Sequence, residues 1–207
     1  FGLRGAFVPR PAWVAPNGMV GQVCTPAGAN ATTVELLANV TGDVCPAGHY
    51  CPQRSASPTP CPAGTFSPAA GNDAVADCLA CTAGFTCPTA GIVTPTVECA
   101  AGYFCPGGQI TPTHSCPAGS FCVTGSTAPQ PCAAGTYQNE TGQWSCKQCP
   151  AGSYCEAQSV VPAECPAGFY CPAGTRFATE FACAAGTFSN RTELTSQSEC
   201  SACTAGM

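Results

Sequence analysis

The 207-residue chain carries 20 cysteines, 23 glycines and 21 prolines, while Lys, Arg, Asp and Glu together make up only 8% of it. That cysteine density belongs to disulfide-scaffolded secreted proteins rather than to a reducing cytosol, and the 45% hydrophobic content is mostly alanine and cysteine, too few large apolar side chains for a conventional core. A net charge of −5 with six scattered basic residues speaks against nucleic acid or an anionic membrane as a partner, and no run approaches the roughly 18 apolar residues of a membrane span.

The chain opens at Phe1 with neither an initiator Met nor a signal-peptide pattern, as expected of a segment processed from a secreted precursor. Residues 1–23 form an arm without cysteine that concentrates Phe1, Leu3, Phe7, Val8, Trp13 and Val14. Two readings stand for it. Either it folds back over the first repeats, or it packs on a neighbouring protomer through Phe1, Phe7 and Trp13, since so apolar a stretch left uncovered invites aggregation. Residues 24–44 form a linker that begins at Cys24 and includes Ala31–Asp43, one short helix or strand pair of ambiguous type.

From Cys45 to residue 202 a single phrase returns nine times, beginning CPAGHYCP at Cys45, CPAGTFSP at Cys61, CTAGFTCP at Cys81 and CAAGYFCP at Cys99. It continues from Cys116, Cys132, Cys149, Cys165 and Cys183, and a tenth copy, residues 203–207, is cut short after CTAGM. Six repeats are short, with a second cysteine six residues after the first: Cys51, Cys87, Cys105, Cys122, Cys155 and Cys171. Three are long. There the same place holds Ser67, Gln138 or Ser189, and the cysteine arrives later, at Cys78, Cys146 or Cys200, three residues before the next repeat. The Pro-Ala-Gly element predicts a type I or II turn, with Pro fixing φ at the second position and Gly taking positive φ. The aromatic two residues on, as in Tyr50, Phe66 and Tyr137, is expected to lie over a disulfide and make a miniature core.

The long phrase CAAGTYQNETGQWSCKQCPAGSYC resembles the ephrin-receptor-like cysteine-rich repeat and, more loosely, the first module of tumour-necrosis-factor-receptor repeats. The short CPAGxYCP repeats look more like cysteine-rich surface proteins of protists and algae. The resemblance covers Cys45 to Met207, and it favours long repeats whose two cysteines close on each other.

Two pairing registers can be written. In the first, every repeat closes on itself: Cys45 with Cys51, Cys61 with Cys78, Cys81 with Cys87, Cys99 with Cys105, Cys116 with Cys122, Cys132 with Cys146, Cys149 with Cys155, Cys165 with Cys171 and Cys183 with Cys200. In the second, the late cysteine of one repeat joins the opening cysteine of the next, which forces three bridges across CxxC steps. Such bridges are usually labile redox elements, so the first register is preferred, although nested pairings such as Cys149 with Cys165 stay open. The first register leaves Cys24 and Cys203 unpaired, and these two become candidates for a head-to-tail contact between copies.

Four N-glycosylation sequons begin at Asn30, Asn39, Asn139 and Asn190, the last two at matching places in long repeats. Thr59, Thr94, Thr96, Thr111 and Thr113 adjoin prolines, where O-linked sugars or bare stiff connectors are equally compatible with the sequence. The CxxC steps together with His49 and His114 suggest zinc only superficially, because every CxxC is a seam between repeats. No catalytic motif is present, and no cofactor is expected.

These readings converge on a small disulfide-rich fold, an elongated array of short β-hairpin or irregular repeats, each touching chiefly its neighbours. The function they favour is structural: a glycosylated extracellular protomer of a filament, appendage or coat on a eukaryotic cell, joined head to tail to copies of itself. The alternative is a ligand-binding stalk or ectodomain of a surface receptor or adhesin.

Overall fold

The computed structural model describes residues 44–52, 55 and 57–203 and, for the backbone alone, Ala6–Phe7 and Asp43. Phe1, Trp13, Cys24, Asn30, Asn39 and nearly all of Ala31–Asp43 lie outside the described residues, as does the Phe7 side chain. Among the described residues there is no α-helix, and the regular structure consists of two-residue strands and two short 3-10 turns, Val75–Asp77 and Gln197–Glu199. The fold is thus disulfide-rich with little regular secondary structure.

Each hairpin grows from the turn that opens its repeat. In Pro46-Ala47-Gly48-His49 the His49 N–H donates to the Pro46 carbonyl at 3.2 Å, with Gly48 at φ 77° in the third place. That is the type II arrangement, in which a Cβ on Gly48 would be strained, and Pro46 stands first in it with Ala47 in the second place where the proline was expected. The two residues after the glycine then pair with the two before the next repeat's cysteine: His49–Tyr50 with Thr59–Pro60, Thr65–Phe66 with Leu79–Ala80, Thr136–Tyr137 with Lys147–Gln148. In the eighth repeat a single bridge, Phe169 to Ala182, replaces the ladder.

The described chain forms two compact bodies. The first holds residues up to Val97 together with Gly107–Thr111; the second holds Glu98–Pro106 and the chain from Pro112 onward. In the first body the backbone of Ala6–Phe7 pairs antiparallel with Asp43–Val44, so this part of the arm is held by its own chain.

In both bodies the buried core is made of cysteine. Cys45, Cys61, Cys99, Cys116, Cys149 and Cys165 are fully buried, and Leu194 is the one large aliphatic side chain buried among the described residues. The aromatics depart from expectation. Tyr50, Phe66, Phe104, Phe121, Tyr137, Tyr154 and Tyr170 are only half-buried, and Phe188 is 47% exposed. All but Tyr170 stand on two-residue hairpins with no second sheet to cover them, and the buried core is made of sulfur rather than of rings. Tyr170 does tilt against Phe181 at 5.5 Å, and Phe104 against His114 at 5.2 Å.

Candidate functional site: the repeat-to-repeat face

Among the described residues nine disulfides form, each inside one repeat. The short repeats close Cys45–Cys51, Cys81–Cys87, Cys99–Cys105, Cys116–Cys122, Cys149–Cys155 and Cys165–Cys171, with Cα–Cα spans of 5.8 to 5.9 Å. The long repeats close Cys61–Cys78, Cys132–Cys146 and Cys183–Cys200. Of the CxxC cysteines, Cys78, Cys81, Cys146, Cys149 and Cys200 are therefore engaged within their own repeats, and Cys203 is not. Among the described residues no group of three His, Cys, Asp or Glu is placed to hold a metal ion.

The long repeats have an unpaired place where a short repeat keeps its second sulfur, and a hydrogen-bonded polar side chain fills it. Ser67 is 1% exposed, and its hydroxyl accepts from Asn72 Nδ2 at 2.7 Å, while the same Nδ2 donates to the His49 carbonyl at 2.9 Å. Gln138, also 1% exposed, donates through Nε2 to the Ser145 carbonyl at 2.7 Å and accepts at Oε1 from the Glu140 N–H at 3.1 Å. Burial of such groups is tolerated because their partners are supplied. The result pins the longer loop against its own repeat and, through Asn72 to His49, against the first repeat as well.

Successive repeats are joined by a recurring set of backbone hydrogen bonds, three at most joints and two where the Gly84 or Gly168 N–H does not take part. Between the sixth and seventh repeats, the Gly135 N–H donates to the Cys155 carbonyl at 2.7 Å, the Gln138 N–H to the Ser159 carbonyl at 3.1 Å, and the Gln158 N–H back to the Cys132 carbonyl at 2.8 Å. The same triple joins the first and second repeats through Gly48 to Ser67, Cys51 to Asn72 and Gly71 to Cys45. It joins the seventh and eighth through Gly152 to Cys171, Cys155 to Thr175 and Gly174 to Cys149. The returning donor sits at positive φ each time, usually a glycine, but Gln158 at φ 65° and Glu193 at φ 62° fill the place without one.

The turn glycine has a second duty that reaches past the neighbouring repeat. A Cβ on Gly48 would lie 2.4 Å from the Gly91 carbonyl oxygen, on Gly102 2.2 Å from that of Gly142, and on Gly135 2.5 Å from that of Gly174. Each of those oxygens belongs to the repeat after next. Hydrogen bonds join sequence neighbours, but close backbone packing extends over three repeats, and glycine is the residue that permits it. The expectation of contacts chiefly between neighbours is corrected to that extent.

The remaining candidate residues lie on the surface. Asn139 and Asn190 are exposed, as are Thr141 and Thr192 of their sequons. Asn139 Oδ1 accepts from Lys147 Nζ at 2.7 Å, which leaves its amide nitrogen free of that bond, and Lys147 also meets Glu140 at 3.3 Å. Thr59, Thr94, Thr96, Thr111 and Thr113 are exposed too. Cys203 is an exposed free thiol whose N–H donates to the Gly186 carbonyl at 2.9 Å. Arg176 and Glu180 form a 2.7 Å ion pair; hydrogen bonding to the guanidinium holds the Glu180 carboxyl below its ordinary value and raises Arg176.

This geometry defines a disulfide-rich repeat module. Residues 119–160, which cover the fifth to seventh repeats in large part, match the family described as tyrosine-protein kinase ephrin type A/B receptor-like. No curated protein matches the chain. No helix among the described residues is long and apolar enough to cross a membrane.

Proposed function

We propose that the chain is a structural part of a glycosylated extracellular filament, appendage or cell-surface coat, with copies joined head to tail. The observation that carries this reading is the recurring set of backbone bonds: most repeats offer the same two donors and one acceptor forward and the complementary set backward, and the third and eighth offer all but the turn-glycine donor. A surface of this kind accepts another repeat of the same kind and is built for stacking rather than for chemistry. In the ninth repeat the equivalent forward groups are the Gly186 and Ser189 N–H groups and the Cys183 carbonyl, and these have no backbone partner among the described residues. In the proposed assembly they receive the first repeats of a second copy, with the residue 1–23 arm and Cys24 brought near Cys203. A heterologous contact that does not close into a ring propagates a filament. Glycans at Asn139 and Asn190 cover the loops of the long repeats, and no catalytic role is assigned.

Negative-stain electron microscopy of the native material, with intact mass before and after glycosidase treatment, tests this. Filaments that disperse when residues 1–23 are deleted, and sugar mass on the Asn139 and Asn190 peptides, are the expected results. Discrete particles without end-to-end contacts count against it.

A ligand-binding stalk is the second reading, and one feature favours it. Trp144, Val161 and Phe177 each stand twelve residues after the opening cysteine of successive repeats and are 63%, 70% and 50% exposed. Discrete particles whose binding to a cell surface is abolished by Trp144→Ala would establish that role instead.

A further inference from the structure

We propose that the two kinds of repeat answer tension differently: short repeats lengthen by peeling their connectors off the stack, and long repeats act as stops. The inference rests on where the bridges lie relative to the stacking groups, and it holds whether or not copies assemble into filaments.

Tension along a crosslinked chain bypasses whatever a disulfide closes off. In the third repeat, load entering at Cys81 crosses the bridge to Cys87, a Cα–Cα span of 5.9 Å, and then runs along the chain to Cys99. That connector holds the groups that join this repeat to the one before it: the Gly91 N–H, bonded to the Cys61 carbonyl at 2.9 Å, and the Ile92 carbonyl, bonded to the Ser67 N–H at 3.0 Å. Straightening the connector breaks both bonds. The seventh repeat has the same layout, with Gln158 and Ser159 between Cys155 and Cys165.

In the second repeat, load entering at Cys61 crosses 5.7 Å to Cys78 and meets Cys81 three residues later. The equivalent joining groups, the Gly71 N–H and the Asn72 carbonyl, lie inside the closed loop, out of the load path. The buried Ser67–Asn72 hydrogen bond lies inside it as well. In the sixth repeat Gly142 and Gln143 are sheltered likewise between Cys132 and Cys146, and in the ninth Glu193 and Leu194 between Cys183 and Cys200. A long repeat therefore offers almost no slack of its own, and its joint to the preceding repeat opens only when that short repeat's connector straightens.

At roughly 3.4 Å per extended residue, a short repeat releases a connector of about 35–40 Å and a long one about 10 Å. With every bridge intact, the path from Cys45 to Cys203 ends near ~300 Å, against ~540 Å for the reduced chain.

Single-molecule pulling on the full chain, held by its two ends, tests the proposal; residues outside Cys45–Cys203 add a constant. The expected record is a series of steps no larger than about 40 Å, reversible on relaxation, ending at the bridged limit. Cys61→Ala with Cys78→Ala is expected to add about 50 Å, and Cys81→Ala with Cys87→Ala only about 15 Å. If a variant fails to fold, dithiothreitol added to the wild-type chain under load supplies the same readout. Releases then fall into two sizes, near 15 Å and near 40–50 Å. A single irreversible rupture, a stack that carries load without lengthening, or releases of one size would overturn the assignment.

Discussion

The sixth and ninth repeats open with almost the same words, CAAGTYQN and CAAGTFSN, yet they are unequally buried. Cys132 is 1% exposed and Gly135 is buried, with a would-be Cβ 2.5 Å from the Gly174 oxygen. Cys183 is only half-buried, Gly186 is exposed, and a Cβ there would meet nothing within 4 Å. Since the local sequence is nearly constant, the difference comes from the two repeats that follow the sixth. A repeat does not bury its own disulfide. The next ones do, and stability is shared along the stack rather than held repeat by repeat.

Removing the bridges should widen that contrast most. Loops of 14 and 17 residues, as closed by Cys132–Cys146 and Cys183–Cys200, are each worth about 3 kcal/mol on chain entropy alone. Replacing Cys132 and Cys146 together by alanine also strips packing from a buried site that neighbouring repeats press upon. Denaturant midpoints are therefore expected to show a loss of about 4 kcal/mol for that pair and about 3 kcal/mol for the ninth-repeat pair. Equal losses would mean that the following repeats contribute nothing to the sixth.

The turn glycines give the next largest effect. Both Gly135 and Gly186 sit at positive φ, near 88° and 85°, so alanine at either place costs about 1–2 kcal/mol in backbone strain. At Gly135 the added Cβ also collides with backbone two repeats ahead, which raises the expected cost to about 3 kcal/mol and disturbs the seventh and eighth repeats together. Thermal melts with amide exchange resolve this. Gly135→Ala should accelerate exchange at Gly174, whose N–H bonds the Cys149 carbonyl, and Gly186→Ala should leave it unchanged.

How much of this could be read from the sequence follows the same division between what lies within a repeat and what lies between repeats. The turn, the hairpin and the small disulfide-rich class are local, written by Pro-Ala-Gly and by the cysteine spacing. The joining triple is made of backbone groups, whose register across repeats no side chain announces. Its one trace is the second glycine of each repeat, as in Gly71, Gly91, Gly125 and Gly142. That trace drifts between nine and ten residues after the opening cysteine and vanishes at Gln158 and Glu193. The polar plugs Ser67 and Gln138 were visible only as missing cysteines, because their burial depends on partners such as Asn72 and the Ser145 carbonyl. The aromatics failed as core residues because a two-residue hairpin has too little surface to cover them.

The smallest expected effect separates the same two repeats by pH. The ninth repeat closes its long loop with a 3-10 turn, Gln197–Glu199, that the shorter loop of the sixth lacks. Glu199 Oε1 accepts from the Thr195 hydroxyl at 2.5 Å, the Thr195 N–H at 2.9 Å and the Ser196 N–H at 3.1 Å. Hydrogen bonds from Thr195, first from its hydroxyl and then from its backbone, hold the carboxyl below the ordinary glutamate value. A carboxyl depressed in the folded state contributes stability that is fully present above its unfolded value and is lost as pH falls through the folded one. Acidification should therefore loosen the Thr195–Glu199 turn before it touches the sixth repeat. The check is amide exchange at Thr195 and Ser196 across the acid range, alongside Glu140 and Gln143 as the sixth-repeat control. Glu199→Gln keeps an acceptor oxygen but carries no charge, so protection of its Thr195 and Ser196 amides, taken relative to the intrinsic exchange rate at each pH, should be lower than wild type at neutral pH and nearly independent of acidification. If the variant keeps the wild-type acid response, another group governs that turn.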